Sequence, residues 1–275
     1  MTTRPAVVPA RARTRPPARP RRSPWRRIRP WLSTAVVVLV WYLCAVTGVL
    51  APNTLPGPDR ILITAWHSIT DGTLGGALLV SLGRVAAGAA LGVTAGLLLG
   101  VVAGFSRVGE DIVDRPMQMV RTIPFTALVP LFILWFGLGQ APKVLLIAVA
   151  SAVPMYLNTF AGVRDVDRKL VEVAHLYRLG RLGTARAVLL PGALPSVLTG
   201  LRFALGNSWI AVIIAETVNS DAGIGFLLVN AQQFIATDVV VLCIAVYALL
   251  GLITDWLVRL LERSLLTWRN AYTGT

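Results

Sequence analysis

The residue types that carry most enzyme chemistry are few and scattered in this chain. Its two cysteines, Cys44 and Cys243, fall inside apolar stretches. Its two histidines, His67 and His175, are far apart and have no cysteine or carboxylate cluster beside them. This pattern predicts neither a disulfide framework nor a metal site, and it offers no catalytic group.

A phosphate-binding loop is also missing from the sequence. Such a loop is rich in glycine and ends in Lys followed by Ser or Thr. The only lysines are Lys143 and Lys169, and neither follows a glycine. We therefore expect no bound cofactor and no enzyme activity, so that any ATP chemistry must reside on another chain.

The most informative polar stretch is segment 163–200, which is too polar to span a membrane and too short to form a domain. Apolar side chains recur there at helical spacing and predict a short amphipathic helix. These side chains are Leu170, Val173, Ala174 and Tyr177.

A break is expected after this helix, near Gly180 or Gly183. A second short helix should end at Pro191, with Pro195 leading into the next apolar span. Two short helices on one face of a membrane form either a ridge on which another protein docks or a surface that rests on lipid headgroups.

Polar side chains inside apolar spans are candidates for a translocation pathway, because a charge in lipid is costly. The ionisable ones are Arg84, Arg121, Arg202 and Glu216. For each, the alternative is a side chain that snorkels to the interface. Asn207 and Ser208 lie in the middle of the span that also contains Arg202 and Glu216, and they either line a pathway or hydrogen-bond between helices.

The composition indicates which elements must position these residues. The chain is 55% hydrophobic and only 14% charged, whereas a soluble domain carries about a quarter charged residues.

The net charge of +13 is concentrated in the Arg/Pro-rich residues 1–30, which we interpret as a disordered basic cytoplasmic tail. No nucleic-acid-binding motif accompanies the tail, so we expect no nucleic-acid partner.

Six apolar spans are predicted, each long enough for a hydrocarbon core that needs about 20 residues. Three prolines, Pro124, Pro130 and Pro154, fall in the third and fourth spans, so these helices should be kinked and lie inside a bundle. The predicted spans are 31–50, 76–105, 119–137, 144–162, 201–218 and 239–258.

Basic residues predict the orientation, because they favour cytoplasmic loops. With the N-terminal tail inside, the inner segments hold 21 Lys and Arg, whereas the outer segments hold only Arg60 and Lys143. Both termini are then cytoplasmic in a multi-pass plasma-membrane protein. The domain plan is a tail at 1–30, a first transmembrane helix at 31–50, an extracytoplasmic connection at 51–75, a five-helix core at 76–263 and a cytoplasmic tail at 264–275.

The second span carries a glycine every fourth residue. Small residues at this spacing let another helix backbone approach closely, which indicates helix packing or a sliding surface for transport. The repeat comprises Gly88, Gly92, Gly96, Gly100 and Gly104.

The run Glu172-Val173-Ala174, followed at a fixed distance by Leu190-Pro191, resembles the cytoplasmic EAA loop of binding-protein-dependent ABC importer permeases. The surrounding sequence resembles the sulfonate/nitrate/taurine subfamily, especially the aliphatic sulfonate permeases. The resemblance covers about residues 80–275 and the Leu-Pro-Gly-Pro at 55–58. Its matching stretches are 81–100, 121–143, 189–217, 221–234 and 237–263.

The resemblance implies an all-α, type I importer permease with six transmembrane helices. It also implies a permease homodimer, two cytoplasmic ATPase subunits and an extracytoplasmic substrate-binding protein. The substrate is expected to be a small organic anion, first an aliphatic sulfonate, with nitrate, taurine and other small solutes as alternatives. The residues that would couple to the ATPase are Glu172, Val173, Ala174, Tyr177, Arg178, Gly180 and Pro191.

One position departs from the family pattern. Arg178 stands where the loop usually has glycine, and Gly180 follows two residues later. Either the turn moves by two residues, or Arg178 makes its own contact with the partner.

Two other classes are weighed against an ATP-driven permease. A secondary transporter usually shows inverted repeats or broken helices at the midplane, and we see no such repeat. A membrane enzyme would need a cluster of carboxylates, histidines or a nucleophile motif, and the sequence has none.

Overall fold

The computed structural model describes residues 25–48, 54–218 and 220–266. Within these residues every regular element is helical, as predicted. The predicted tails lie largely outside them, and residues 25–30 of the N-terminal one form the start of a helix. The elements are α1 (Trp25–Val46), α2 (Pro58–Thr70), α3 (Thr73–Phe105), α4 (Arg107–Thr122), α5 (Leu128–Phe136), α6 (Gln140–Arg164), α7 (Arg168–Leu176), α8 (Arg181–Thr184), α9 (Leu190–Val218), α10 (Ile224–Gln233) and α11 (Thr237–Leu265).

Four helices are long and apolar enough to cross a membrane. They are Thr73–Phe105, Gln140–Arg164, Ala185–Val218 and Thr237–Leu265. They contain the second, fourth, fifth and sixth predicted spans. The apolar part of α1 that is described, Ala35–Val46, is shorter, so the first predicted span stays a prediction.

The third predicted span is not one continuous helix. Residues 119–137 are divided between α4 and the pair formed by the 3-10 turn Phe125–Ala127 and α5, and the two parts meet at an angle of 84°. Pro124 explains the break, because it lacks an N–H and disfavours helical geometry in the residue before it. Ile123 accordingly has an extended backbone, with φ −81° and ψ 121°. Counting the bent pair as one span gives five.

Two connections contain more helix than the sequence pattern predicts. The connection 51–75 includes α2, which begins at Pro58, a position where proline's missing N–H costs nothing. The second short helix of segment 163–200 does not end at Pro191. It passes through a π turn, Ala185–Leu189, directly into α9. In that turn the Leu190 N–H bonds to the Ala185 carbonyl, and this wider spacing accommodates the following proline.

The glycine repeat faces α6 along much of α3. A methyl group on Gly100 would lie 2.7 Å from Thr159 Cβ, and one on Gly96 would lie 2.9 Å from Met155 Cβ. Gly88 and Gly92 meet α6 in the same way. Backbones this close gain dispersion contacts that bulkier residues would prevent.

The other long helices complete the bundle around α6. On the α6–α9 side, Gly162 faces Ser196 and Gly200 faces Asn158. On the α9–α11 side, the Trp209 indole donates to the Thr254 hydroxyl at 3.0 Å. The buried core where α3, α6, α9, α10 and α11 meet includes Ile147, Val212, Ile224, Cys243 and Tyr247.

Candidate functional site: a coupling surface and a buried ion pair

Helix α7 carries the first candidate site. The Asp167 side chain accepts a hydrogen bond from the Lys169 N–H at 2.9 Å and caps the first turn. The helix ends at Leu176, so Tyr177 lies just beyond it as the C-cap residue. Glu172 is on the exposed side of α7, whereas Ala174 is buried.

Arg178 makes the turn that ends α7. Its φ is +56°, in the left-handed region that glycine adopts most easily. The Leu179 N–H bonds to the Ala174 carbonyl at 3.0 Å, and the Arg178 N–H bonds to the His175 carbonyl at 2.9 Å. These two bonds define a Schellman cap with arginine at the glycine position. The turn has therefore not moved to Gly180, whose φ is not positive.

An apolar groove lies between the end of α7 and the start of α9. Large side chains next to it are open to solvent, with Tyr177 79% and Val173 46% exposed. Exposed apolar groups of this kind on an otherwise charged segment are typical of an interaction surface. The groove is lined by Leu170, Val173, Ala174, Tyr177, Leu179, Ala187, Val188, Pro191 and Gly192.

The second candidate site is a buried carboxylate at the far end of α9. Glu216 is 1% exposed. One of its oxygens accepts from Arg84 Nη1 at 2.7 Å, and the other accepts from the Gly225 N–H at 2.8 Å. The Ser81 hydroxyl lies 2.8 and 2.9 Å from the two oxygens. Three separate elements, α3, α9 and the start of α10, thus meet at one charged group.

Arg84 is the cation of this pair and is also almost fully buried, at 4% exposure. Its Nε donates to Gln140 Oε1 at 2.7 Å, and its Nη1 also donates to the Ala222 carbonyl at 2.7 Å. Snorkelling of Arg84 or Glu216 to the interface is therefore wrong. The two predicted pathway residues instead bind each other.

Glycines leave room for the carboxylate. A side chain on Gly223, whose φ is +113°, would overlap the Glu216 carboxylate. A methyl group on Gly225 would lie 2.6 Å from Glu216 Cβ. The turn before α10 can close over Glu216 only because these residues lack side chains.

The other predicted pathway residues have different surroundings. Ser208 is fully buried and donates to the Ala204 carbonyl of its own helix at 2.9 Å. Asn207 Nδ2 approaches the Ala150 carbonyl of α6 at 3.5 Å. Asn207 and Arg121 both line a largely apolar cleft beside the α4–α5 break. Arg202 pairs with Asp255 and Glu262 of α11.

Several partners of the buried pair were missed by sequence reasoning. Ser81, Gln140, Gly223, Gly225 and Tyr247 all surround Glu216 or Arg84. Only Ser81 carried a local signal, because it precedes Arg84 by one helical turn. Among the described residues, no group of three or more His, Cys, Asp or Glu side chains could hold a metal ion.

A bundle of long apolar helices, joined by an amphipathic segment with an open groove, is typical of a multi-pass transport subunit. Residues 92–267 match the family described as binding-protein-dependent transport system inner membrane component. The chain belongs to this family, and it is therefore an ABC importer permease and a multi-pass plasma-membrane protein.

Relatives of known name extend the match to nearly the whole chain. The chain is 42% identical to the aliphatic sulfonates transport permease protein SsuC of Bacillus subtilis (strain 168), over 92% of this chain and 94% of that one. It is 42% identical to the SsuC of Escherichia coli (strain K12), over 90% and 94%. The taurine transport system permease protein TauC of the same strain is 34% identical, over 86% and 88%.

Solved structures share the fold. The chain superposes on a crystal structure described as an amino acid ABC transporter with histidines with a TM-score of 0.58. That match has 19% identity and covers 73% of this chain and 97% of the other. The relatives are transport subunits rather than enzymes, and no ATPase site is evident in this chain.

Proposed function

We propose that this chain is the membrane-spanning subunit of an ATP-driven importer for small organic anions, with aliphatic sulfonates as the substrate. The 42% identity to two sulfonate permeases over at least 90% of the chain carries this proposal. The charge distribution of the whole sequence and the groove on segment 163–200 support it.

The working unit is a homodimer of this chain with two cytoplasmic ATPase subunits and an extracytoplasmic binding protein. The chain crosses the membrane six times, with α1 as the first span and the bent pair α4–α5 as the third, so that both termini lie on one side. The distribution of basic residues favours the cytoplasm for that side. The chain itself needs no cofactor, because ATP binds to the partner.

Helix α7 and its groove are the docking surface for the ATPase. The exposed apolar side chains of Val173 and Tyr177 enter a complementary surface, and Glu172 anchors the helix from its charged side. Closure of the ATPase dimer moves this rigid, capped helix, and the motion passes to α9 through the continuous π turn at 185–189. The spans then switch between inward-facing and outward-facing arrangements.

The experiment is uptake of labelled ethanesulfonate into proteoliposomes that hold the permease, its partner ATPase and its binding protein. We expect uptake that depends on ATP and is inhibited by vanadate. Glu172→Lys should abolish uptake while membrane insertion and yield stay unchanged. Asp111→Lys, a charge reversal on exposed α4 outside the groove, is the control and should retain uptake.

Two results would contradict the proposal. Normal ATP-coupled uptake by Glu172→Lys would contradict the proposed role of α7 in coupling to the ATPase. Uptake that follows an ion gradient and resists vanadate would instead favour a secondary transporter.

A further inference from the structure

Helix α6 begins beside the buried ion pair. Its N-cap, Gly139, provides no side-chain cap, so the first N–H groups of this 25-residue helix have no side-chain acceptor there. A helix N-terminus carries a partial positive charge and favours anions. An uncapped helix N-terminus is common by itself. Here two buried cationic side chains lie next to it, which is unusual.

Arg84 is the first of these side chains. The bond from its Nε to Gln140 Oε1 holds the guanidinium against the first residue of α6. Its Nη1 is used by Glu216 and Ala222. Its Nη2 is buried and has no hydrogen-bond partner among the described residues. A guanidinium is planar, so the two occupied nitrogens fix the direction in which Nη2 can donate.

Lys143 is the second. It is 5% exposed, and it lies three residues after Gln140 and so on the same face of α6. Within the described part of the chain, it forms no hydrogen bond and no ion pair. Its surroundings on one side are an apolar pocket lined by Val129, Ile133, Pro142, Leu146 and Ala215.

The buried charges at this point are unequal in number, with two cations and one carboxylate. Arg84 and Lys143 interact electrostatically with each other, and Glu216 is the single buried carboxylate within their reach. Asp221 also acts on Lys143, but it is exposed and not within ion-pairing distance. Buried charges in proteins are normally paired. Two buried cations, one buried carboxylate and an unused guanidinium N–H therefore lie near the start of α6.

We propose that Arg84, Lys143 and the first turn of α6 form a binding site for a small oxyanion, of which the sulfonate group is the example that fits the proposed function. The oxyanion accepts from Arg84 Nη2, from the Lys143 ammonium and from the N–H groups of Gln140 and Ala141, since Pro142 has no N–H to donate. Glu216 holds the guanidinium in place through Nη1 and leaves Nη2 unused. In the proposed topology this site lies at the extracytoplasmic end of the bundle, where substrate arrives from the binding protein.

The test measures ethanesulfonate binding to the purified full-length chain in detergent, by calorimetric titration and by the shift in thermal unfolding midpoint at constant ionic strength. Ethyl methyl sulfone, which has similar shape but no charge, is the ligand control. We expect ethanesulfonate and not the sulfone to stabilise the protein. Lys143→Met should raise the Kd by roughly tenfold or more, because it removes one partner of a desolvated charge contact.

Two variants keep the test interpretable. Lys143→Arg retains the charge and should bind ethanesulfonate within a few-fold of the native Kd, which shows that the site tolerates substitution. Lys169→Met makes the same chemical change at an exposed position on α7 and should bind as the native chain does. Equal Kd values for Lys143→Met and the native chain would overturn the site, as would absence of binding by the native chain or equal stabilisation by the sulfone.

The inference and the proposed function fail in different experiments. If ATP-driven sulfonate uptake is unchanged in Lys143→Met, the oxyanion site is contradicted and the proposed importer function is retained. If anion binding depends on Lys143 but the chain does not support sulfonate uptake, the oxyanion site is retained and the proposed substrate is contradicted.

Discussion

Arg178 occupies a backbone position that favours glycine, and it does so in the segment proposed to contact the ATPase. The left-handed conformation costs a residue with a side chain about 1–2 kcal/mol. Such a cost persists where the surroundings compensate for it, often at functional sites. The Schellman bonds to Ala174 and His175 hold the turn in place in spite of that cost.

Arg178→Gly should therefore stabilise the protein. We expect a gain of roughly 0.5–1 kcal/mol in the free energy of unfolding, since the relief of strain exceeds the added flexibility of the unfolded chain. Equilibrium unfolding in detergent by SDS titration measures it. Gly180→Ala is the control and should be neutral or slightly stabilising, because nothing lies within 4 Å of that position. A large decrease in the free energy of unfolding of Gly180→Ala would mean that the turn requires glycine at position 180 and not at position 178.

The Arg84–Glu216 pair is the other residue-scale feature with a measurable cost. Glu216→Gln leaves a buried guanidinium without its counter-ion, which should destabilise the fold by about 3–5 kcal/mol. Glu262→Gln is the comparison, since its partner Arg202 is 35% exposed and keeps a second carboxylate, Asp255. That change should cost less than about 1 kcal/mol. Similar decreases in the free energy of unfolding for Glu216→Gln and Glu262→Gln would show that the buried pair stabilises the fold no more than an exposed one.

At the scale of elements, the glycine repeat determines how closely α3 approaches α6. Most of its members sit against backbone carbonyls or Cβ atoms of α6 that cannot move aside. The same helix also contains Gly83, which has no atom within 4 Å of a built Cβ. The chain thus offers a matched pair of positions on one helix.

Gly96→Ala should separate α3 from α6, because the added methyl would lie 2.9 Å from Met155 Cβ. We expect a loss of about 1–3 kcal/mol, typical of overpacking. Gly83→Ala should instead be stabilising by up to about 1 kcal/mol, since alanine favours helix. Thermal unfolding midpoints of both variants measure the difference, and equal midpoints would contradict tight packing at the repeat.

At the scale of the whole molecule, the proposed orientation in the membrane rests on the distribution of charge. The basic residues outside the spans cluster in the segments assigned to the cytoplasm, and Lys143 and Arg60 are the exceptions. An alternative orientation would place the groove of segment 163–200 outside the cell, where no ATPase is present.

Cysteine labelling tests the orientation. Phe234 is 77% exposed and Leu176 is 82% exposed. In intact cells a membrane-impermeant maleimide should label Phe234→Cys, whereas Leu176→Cys should react only after permeabilisation. Cys243 is fully buried, so only Cys44 needs replacement in the background. Labelling of Leu176→Cys from outside would reverse the proposed topology.

The sequence by itself determined the features that depend on local pattern. Apolar runs locate the four long spans to within a few residues at most ends, because lipid requires continuous apolar helix. The period of Leu170, Val173 and Ala174 located α7, because one face of a surface helix must be apolar. The run from Glu172 to Pro191 indicated the family.

Only the tertiary structure decided which distant groups meet. Arg84 and Glu216 are 132 residues apart, and each alone is consistent with snorkelling. Their burial becomes favourable only when α3, α9 and α10 bring the two charges, Ser81 and two glycines together. The sharp break at Pro124 and the continuous turn before Pro191 likewise depended on surrounding helices, since proline permits a kink, a break or a helix start equally well in sequence.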